Sequence, residues 1–276
     1  MNFTSYLQQK RYSDATVHHY TDYIGKFLTW LQNENIDATV FNYNDLLLFM
    51  QYAGKNGITK RTLHNILCVI RHYCNYLIHE GKRTDNPAAG VFIKGLVRKL
   101  PTGLISFDEL EELYKQYSIQ ISVDRSKKIM LGLLIYQGLA VGELERIERR
   151  DIKLKEGKIK IRATGRTNER ILNLQAIQAI DLQQYLSENK YEEKLFTGQW
   201  ISNRVQHMFD QLKQLNPKVT SAKQIRSSVI THWLRKNHLR QAQYMAGHKF
   251  VSSTQRYQLN NLDDLTNELE HHHPMA

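Results

Sequence analysis

The sequence contains little cysteine or proline and no long apolar run. Its two cysteines, Cys68 and Cys74, lie six residues apart in one apolar helical stretch, face different sides and lack the partners of a zinc site, so we expect reduced core thiols. No stretch approaches the ~20 apolar residues of a membrane span, and the N-terminal residues have no apolar signal core. The sequence also has neither a Walker loop nor a dinucleotide fingerprint. We therefore expect a cytoplasmic protein with no membrane partner and no nucleotide cofactor.

Positive charge, in contrast, is abundant. The 276 residues include 38 Lys and Arg against 27 Asp and Glu, which gives a formal net charge of +11 and a pI near 9.5. This excess favours a polyanionic partner, and nucleic acid is the expected one. Hydrophobic residues at 41% and charged residues at 24% are ordinary for a folded protein, and the length favours two domains.

The N-terminal part of the sequence predicts amphipathic helices. Ser13 is the expected N-cap of one helix, because apolar residues follow it at spacings of three and four. A second helix is expected in NYNDLLLFMQYAGKNG, stopped by Gly54 and Gly57, and a third runs from about Thr59 to Gly81. The expected core positions are Val17, Tyr20, Ile24, Phe27, Leu28 and Leu31 in the first of these helices, and Leu63, Ile66, Leu67, Ile70, Tyr73 and Leu77 in the third.

The polar face of the third helix is basic. Lys60, Arg61, His64 and Arg71 lie on it, and Thr62 adds a hydroxyl near the helix start. Positive charge and hydrogen-bond donors at a helix N-terminus suit contacts with phosphate groups, so Lys60, Arg61, Thr62 and Arg71 are candidate DNA-binding residues. The alternative for each residue taken singly is an ordinary solvated helix face.

A basic segment broken by Pro101 and Gly103 is the expected linker, at residues 99–105. It separates an all-helical domain over residues 1–98 from a second domain over residues 106–276. The second domain opens with a helix capped by Ser106, and acidic residues occupy the first turn of that helix. Further along, DIKLKEGKIKIRATGRTNERILNL alternates with period two around Gly157 and again around Gly165, which predicts two hairpins sharing a strand. The rest, from Ala176, is helical in pattern.

The segment KQIRSSVITHWLRKNHLRQAQYMAGHKFVSSTQRYQL resembles the C-terminal half of the tyrosine recombinases, also called the phage integrase family. The matching residues are Lys223, Arg226, His248 and Tyr257, with the Tyr nine residues after the His. GLAVGEL, residues 138–144, resembles the family's Gly-Leu-Arg-x-x-Glu-Leu, and the N-terminal helices resemble its core-binding domain. The resemblance covers nearly the whole chain. It implies a mainly α, two-domain DNA clamp, in which an all-α core-binding domain precedes an α-rich catalytic domain with a small antiparallel sheet.

The chemistry that the resemblance implies needs these residue types. A phenol with a reference pKa of about 10 is a poor nucleophile at neutral pH unless positive charge favours its anion. Arg226, Lys223 and His248 around one phosphate supply that charge, and the Arg fork suits the pentacovalent transition state. Attack by Tyr257 forms a 3′-phosphotyrosyl bond to double-stranded DNA, with no metal or cofactor. The resemblance further implies a homotetramer on DNA, while the free protein is expected to be monomeric.

The sequence departs from the family pattern in two places. Ala140 stands where the family has its first catalytic Arg, and the stretch ATGR, residues 163–166, lacks the family's hairpin Lys. One explanation is recruitment of another Arg, with Arg166 as first candidate for a catalytic role and Arg162 and Arg146 as alternatives; Arg162 is also a candidate DNA contact. The others are a non-cleaving relative that only binds DNA, and an engineered Ala140.

Two further features are open at the level of sequence. Ser252 and Gln255 form a predicted capping box, which would start a short helix carrying Tyr257. After Tyr257, leucines recur at helical spacing in QLNNLDDLTNELE, a tail that packs either on a neighbouring protomer or on its own domain. A type IB topoisomerase-like enzyme shares the chemistry, but the short helical N-terminal domain favours a recombinase.

Overall fold

The computed structural model describes residues 2–96, 101–120, 124–165, 167–189, 192–197 and 200–258. The chain divides into two compact units, Met1–Arg98 and Lys99–Ala276, each with its own hydrophobic core. Helices dominate both, and the described strands all lie in the second unit. The predicted fold class, mainly α with one small antiparallel sheet, is therefore confirmed. Within the described part of the chain, no helix combines the length and the apolar character needed to cross a membrane.

The described part of the first unit contains four helices, and each begins with a side-chain cap, two of which the sequence predicts. The Ser13 hydroxyl accepts a hydrogen bond of 3.3 Å from the N–H of Thr16, and Thr59 accepts one of 3.2 Å from Thr62. Both caps satisfy N–H groups that have no partner inside a helix, so both predicted helix starts are confirmed. The helices are α1 (Phe3–Gln9), α2 (Asp14–Asn33), α3 (Tyr43–Lys55) and α4 (Lys60–His79).

All four helices contribute buried residues to the core of the first unit. Phe27 is fully buried and packs edge-on against Phe41 and Phe49, with ring centroids 5.1 and 4.9 Å apart. Of the twelve positions predicted to point inward, nine are buried, and Tyr20, Leu28 and Tyr73 pack partly buried against the same cluster. The predicted stop of α3 at Gly54 is wrong, because the helix continues to Lys55 and only Gly57 takes a left-handed backbone, with φ +74°. Burial of Phe49 and Ala53 on the same helix compensates the ~1 kcal/mol cost of a helical glycine.

The first helix of the second unit opens at Ser106, as the sequence predicts, and Ser106 and Glu109 form a capping box there. The N–H of Glu109 donates to the Ser106 hydroxyl at 3.2 Å, and the Glu109 carboxylate accepts from the N–H of Ser106 at 3.1 Å. Ile105, which lies in the predicted linker, is buried in the core of this unit and donates its N–H to the Ser228 hydroxyl. The helices are α5 (Phe107–Gln120), α6 (Arg125–Tyr136), α7 (Val141–Leu144), α8 (Ala176–Glu188), α9 (Ile201–Leu215), α10 (Ala222–Lys236), α11 (Leu239–Ala246) and α12 (residues 251–258).

The sheet of the second unit has the predicted form of two hairpins that share a strand. Its strands are β1 (Ile152–Lys153), β2 (Lys158–Ile161) and β3 (Arg170–Asn173), and β2 pairs antiparallel with both neighbours. Ile159 lies opposite Leu172 in the register and is fully buried, so one face of the sheet packs on the helical core. This packing brings β3 and the loop before it against the end of α11.

Candidate active site

The turn after α11 joins the helical core to the loop before β3. Gly247 ends α11 with φ +69°, and its carbonyl accepts a hydrogen bond of 2.8 Å from the N–H of Asn168. A Cβ at this position would lie 2.4 Å from Nη1 of Arg170, so only glycine fits both the backbone conformation and the space. The turn places His248 in an isolated β-bridge with Thr167.

His248 and Tyr257 lie face to face. Their ring centroids are 6.0 Å apart with an interplanar angle of 12°, and Tyr257 is 4% exposed. Nδ1 of His248 lies 2.8 Å from the hydroxyl of the fully buried Thr254, which fixes the orientation of the imidazole. The His-to-Tyr spacing of the sequence therefore corresponds to direct juxtaposition of the two rings.

The helix that carries Tyr257 begins earlier than the sequence predicts. Residues 251–258 are helical, so Ser252 lies inside the first turn of α12 and the predicted capping box at Ser252 and Gln255 is wrong. The N–H of Ser253 donates instead to the carbonyl of Phe250 at 3.1 Å. A backbone turn replaces the side-chain cap, and Tyr257 lies in the second turn of the helix.

Arg226, on α10, bonds to the end of α11, beside the turn that leads to His248. Its Nη1 donates to the carbonyl of Gly138 and lies 3.3 Å from Oε2 of Glu143, while Nη2 donates to the carbonyl of Ala246 at 2.7 Å. These contacts among the described residues use both hydrogens of Nη1 and one of Nη2. They hold the guanidinium in one orientation and leave Nε–H and one Nη2 hydrogen for a ligand.

The carboxylate of Glu143 joins Arg226 to a second guanidinium. Arg170 is fully buried and forms a bidentate pair with Glu143, at 2.7 Å from Nη1 and 3.1 Å from Nη2, while its Nε donates to the carbonyl of Met245. Glu143 also accepts the N–H of Ala140 at 2.9 Å. One buried carboxylate thus positions two cations, so the cluster retains a net positive charge next to Tyr257.

The titration of the site follows from this charge distribution. Burial opposes ionisation of Glu143, but the hydrogen bond and charge of Arg170, together with Arg226, hold the pKa of Glu143 below its usual value. Burial lowers the pKa of His248 to about 4, and the positive charges of Arg226 and Arg256 act in the same direction. The imidazole of His248 is therefore neutral at physiological pH.

A cleft of about 650 Å³ opens beside Tyr257. Lys223, Arg256 and Tyr257 line it, together with the segment that begins at Pro101 and with Ser227. Lys223 is exposed, one turn before Arg226 on α10. The cleft is wide enough for a phosphodiester, and two of the four candidate residues, Lys223 and Tyr257, line it.

Ala140 lies at the N-terminus of α7, beside this cluster. Its side chain is a half-exposed methyl group, and its contribution to the site is the backbone N–H that Glu143 accepts. Arg162, one candidate to replace the missing guanidinium, donates to Asp151 at 3.1 and 3.2 Å and pairs with Glu148. Arg146 is exposed, and Arg166 lies outside the described residues, as does the leucine-containing tail after position 258.

The candidate DNA-binding residues of α4 differ in their surroundings. Lys60 and Arg61 are exposed at the helix N-terminus, and Thr62 is half-buried beside the Thr59 cap. Arg71 donates to the carbonyls of Ala88 and Val91 at 3.1 Å each. Arg71 therefore fastens the end of the first unit to α4, while the helix start presents its charge to solvent.

Two features of the site carry no signal in the sequence. The first is the pair of Arg170 with Glu143, which are 27 residues apart and belong to different elements. The second is Arg256, whose Nη2 donates to the Tyr257 hydroxyl at 2.9 Å and whose Cζ lies 4.9 Å from the centroid of that ring. Neighbours in a helix point about 100° apart, so only the length of the Arg side chain brings it back to the phenol.

Comparison with known proteins places this geometry in a family. Residues 104–263 match the phage integrase family, and residues 1–81 match the N-terminal SAM-like domain of phage integrases. Tyrosine recombinase XerC of Bacillus pumilus (strain SAFR-032) is 25% identical over 293 residues, which cover 99% of this chain and 95% of the relative.

Two of the solved structures that share the fold are a XerH complex and a lambda integrase complex. The XerH site-specific recombinase bound to palindromic difH substrate, a post-cleavage complex, matches 88% of this chain and 76% of its own at a TM-score of 0.71 and 16% identity. A lambda integrase tetramer bound to a Holliday junction matches 92% of this chain and 74% of its own at a TM-score of 0.68 and 14% identity. With both family matches and the stacked His248–Tyr257 pair, this chain belongs to the phage integrase family of tyrosine recombinases.

Proposed function

We propose that this protein cleaves and rejoins double-stranded DNA as a site-specific recombinase, with Tyr257 as the nucleophile. The observation that carries the proposal is the position of the Tyr257 hydroxyl, which receives a hydrogen bond from Arg256 and lies on a ring stacked against His248. The relatives named tyrosine recombinases and the DNA-bound structural neighbours support the same substrate class.

The proposed step is a transesterification at phosphorus. Oη of Tyr257 attacks the scissile phosphate, the P–O5′ bond breaks, and a 3′-phosphotyrosyl bond forms. The phenol loses one proton and the leaving 5′ oxygen gains one, so the reaction consumes no net proton or cofactor. A 5′-hydroxyl of a partner strand reverses the step and rejoins the DNA.

Arg226 stabilises the charge that develops on the non-bridging oxygens of this phosphate. Its orientation is fixed by Glu143 and two carbonyls before the substrate arrives, which is the condition under which a donor lowers a barrier most. Lys223 adds a mobile positive charge at the mouth of the cleft. His248, neutral at physiological pH, donates to or accepts from the reacting oxygens without adding charge.

Assembly on DNA follows from the proposed chemistry. Exchange between two duplexes needs four strand cleavages, and therefore four protomers acting together. The lambda integrase neighbour is a tetramer on a Holliday junction, which supports the same arrangement for this chain. The basic start of α4 and the net charge of +11 are the features that we assign to holding the duplex.

The test is covalent capture on nicked suicide substrates, carried out on a library of sequences because the target site is unknown. We expect a denaturant-resistant protein–DNA adduct with the parent protein and none with Tyr257→Phe, which removes only the nucleophilic oxygen and leaves DNA binding intact. An adduct that persists in Tyr257→Phe places the nucleophile elsewhere. A parent that binds the library without forming any adduct is a DNA-binding protein that does not cleave.

A further inference from the structure

Most guanidinium donors in the described site are already used by protein acceptors. All three nitrogens of Arg170 donate to Glu143 or to the carbonyl of Met245, and Glu143 balances the charge of Arg170. Three of the five hydrogens of Arg226 are taken by Gly138, Glu143 and Ala246. With alanine at position 140, the site is short of one guanidinium to share the charge of the phosphate.

Arg256 differs from these two residues in what it contacts. Nη2 donates to the hydroxyl of Tyr257 at 2.9 Å, and its Nε is buried with no acceptor among the described residues. Within the described part of the chain, Arg256 forms no ion pair with a carboxylate, unlike Arg170 and Arg226. A buried charged donor without a partner costs free energy, and an anion that binds beside it recovers that cost.

The location of Arg256 decides which anion fits. It lines the same cleft as Lys223 and Tyr257, and its positive charge is close enough to act on both Arg226 and His248. Arg256 therefore lies both on the cleft and against the Tyr257 hydroxyl, so an anion bound in the cleft beside Arg256 is within reach of that hydroxyl. A phosphodiester oxygen has the charge and the lone pairs that this position requires.

We infer that Arg256 supplies the guanidinium that Ala140 lacks, by holding the Tyr257 phenolate and a non-bridging oxygen of the scissile phosphate at the same time. The inference rests on the proposed function. Arg256 stays protonated throughout and takes no proton from the phenol, so its contribution is electrostatic. It is a catalytic residue in this role, because it touches the attacking oxygen itself.

The swap of one guanidinium for another tests the inference in the full-length protein. The rate of single-turnover cleavage is compared on a suicide substrate that the parent protein captured from the library. The proteins compared are the parent, Arg256→Ala, Arg256→Lys and the double variant Ala140→Arg/Arg256→Ala. We expect Arg256→Ala to cleave about 100-fold more slowly with DNA affinity within threefold of the parent, because the contact strengthens in the transition state. Arg256→Lys keeps the positive charge but not the forked guanidinium, so its cleavage rate should lie between those of the parent and Arg256→Ala. Adding Ala140→Arg to Arg256→Ala should restore cleavage.

Arg125→Ala is the matched control, because it removes the same charge from a residue paired with Glu188 at the start of α6. It should cleave like the parent. A purely structural role for Arg256 predicts a double variant as slow as Arg256→Ala, and that result overturns the inference. So does an Arg256→Ala variant that cleaves within threefold of a cleaving parent, which leaves the proposed function intact. A parent that forms no adduct overturns the proposed function and this inference together.

Discussion

Replacing Arg170 by methionine should cost the second unit about 3–5 kcal/mol of its free energy of unfolding. The Arg170 side chain is 0% exposed and that of Glu143 is 2% exposed, so Arg170→Met leaves a carboxylate buried without its bidentate partner. Nη1 of Arg226 still lies 3.3 Å from Glu143 and compensates part of the loss, which favours the lower end of this range. Methionine fills most of the volume of the Arg side chain, so the cost reports charge and hydrogen bonds rather than a cavity.

A double-mutant cycle separates the pair from its surroundings. Glu143→Gln keeps the shape of the carboxylate and removes its charge, and the double variant lacks both charges of the pair. We expect the loss in the double variant to be smaller than the sum of the two single losses by about 1.5–3 kcal/mol, because the second substitution removes a charge that the first left unpaired. Lys160→Met is the control, since Lys160 forms an exposed pair with Glu169 at 3.0 Å and should cost less than about 1 kcal/mol.

Tryptophan fluorescence during urea unfolding measures these differences. The three tryptophans are Trp30 in the first unit and Trp200 and Trp233 in the second, so a Trp30→Phe background reports on the second unit. Single losses that add within about 0.5 kcal/mol in the double variant would refute the coupling. A loss in Arg170→Met no larger than the one in Lys160→Met would refute the reasoning from burial.

Three further outcomes are expected. Gly247→Ala should destabilise the protein by about 3 kcal/mol or more in the same urea assay, because it forces alanine into a left-handed backbone and displaces the Arg170 guanidinium. The control Gly142→Ala, whose added Cβ meets no atom within 4 Å, should be nearly neutral. The His248 imidazole should titrate by NMR near its pKa of about 4. The free energy of unfolding should therefore fall as the pH drops from about 6.5, where this histidine is protonated in the unfolded chain, and should level off below pH 4. An NMR midpoint near 6.5 contradicts this. Lys60→Ala should reduce the slope of log affinity for DNA against log salt by about 1, and an unchanged slope removes this residue from the DNA contact.

Helix boundaries were predictable wherever a local interaction sets them. Ser13 and Ser106 each bond an N–H three residues ahead, so the pattern within four residues contains all the information needed. Gly54 shows the limit of such local rules, because tertiary burial of α3 outweighs the helix-breaking tendency of one glycine. The helix start predicted at Ser252 was wrong for a related reason, because a backbone turn from Phe250 already starts α12 before Ser252.

The arrangement around Tyr257 was predictable only in its sequence-local part. The nine residues from His248 to Tyr257 make one backbone turn and then two turns of the α12 helix, and the two rings meet as a result. The Glu143–Arg170 pair brings together α7 and β3, and no periodicity relates the two positions. Such pairs depend on the tertiary fold, and a single sequence does not contain a pattern for them.

Position 140 connects the stability of the site with its chemistry. The groups that hold the site together are Glu143, Arg170 and Arg226, and they use only the backbone N–H of Ala140. The side chain at this position is half-exposed and outside the core, so the fold accepts alanine without loss of packing. In the proposed reaction, the cost of a missing guanidinium therefore falls on the charge that develops during strand cleavage, a state that the folded protein alone does not contain. Cleavage rates of variants at positions 140 and 256, measured beside the free energies of unfolding of the same variants, test this connection between the fold and the proposed reaction.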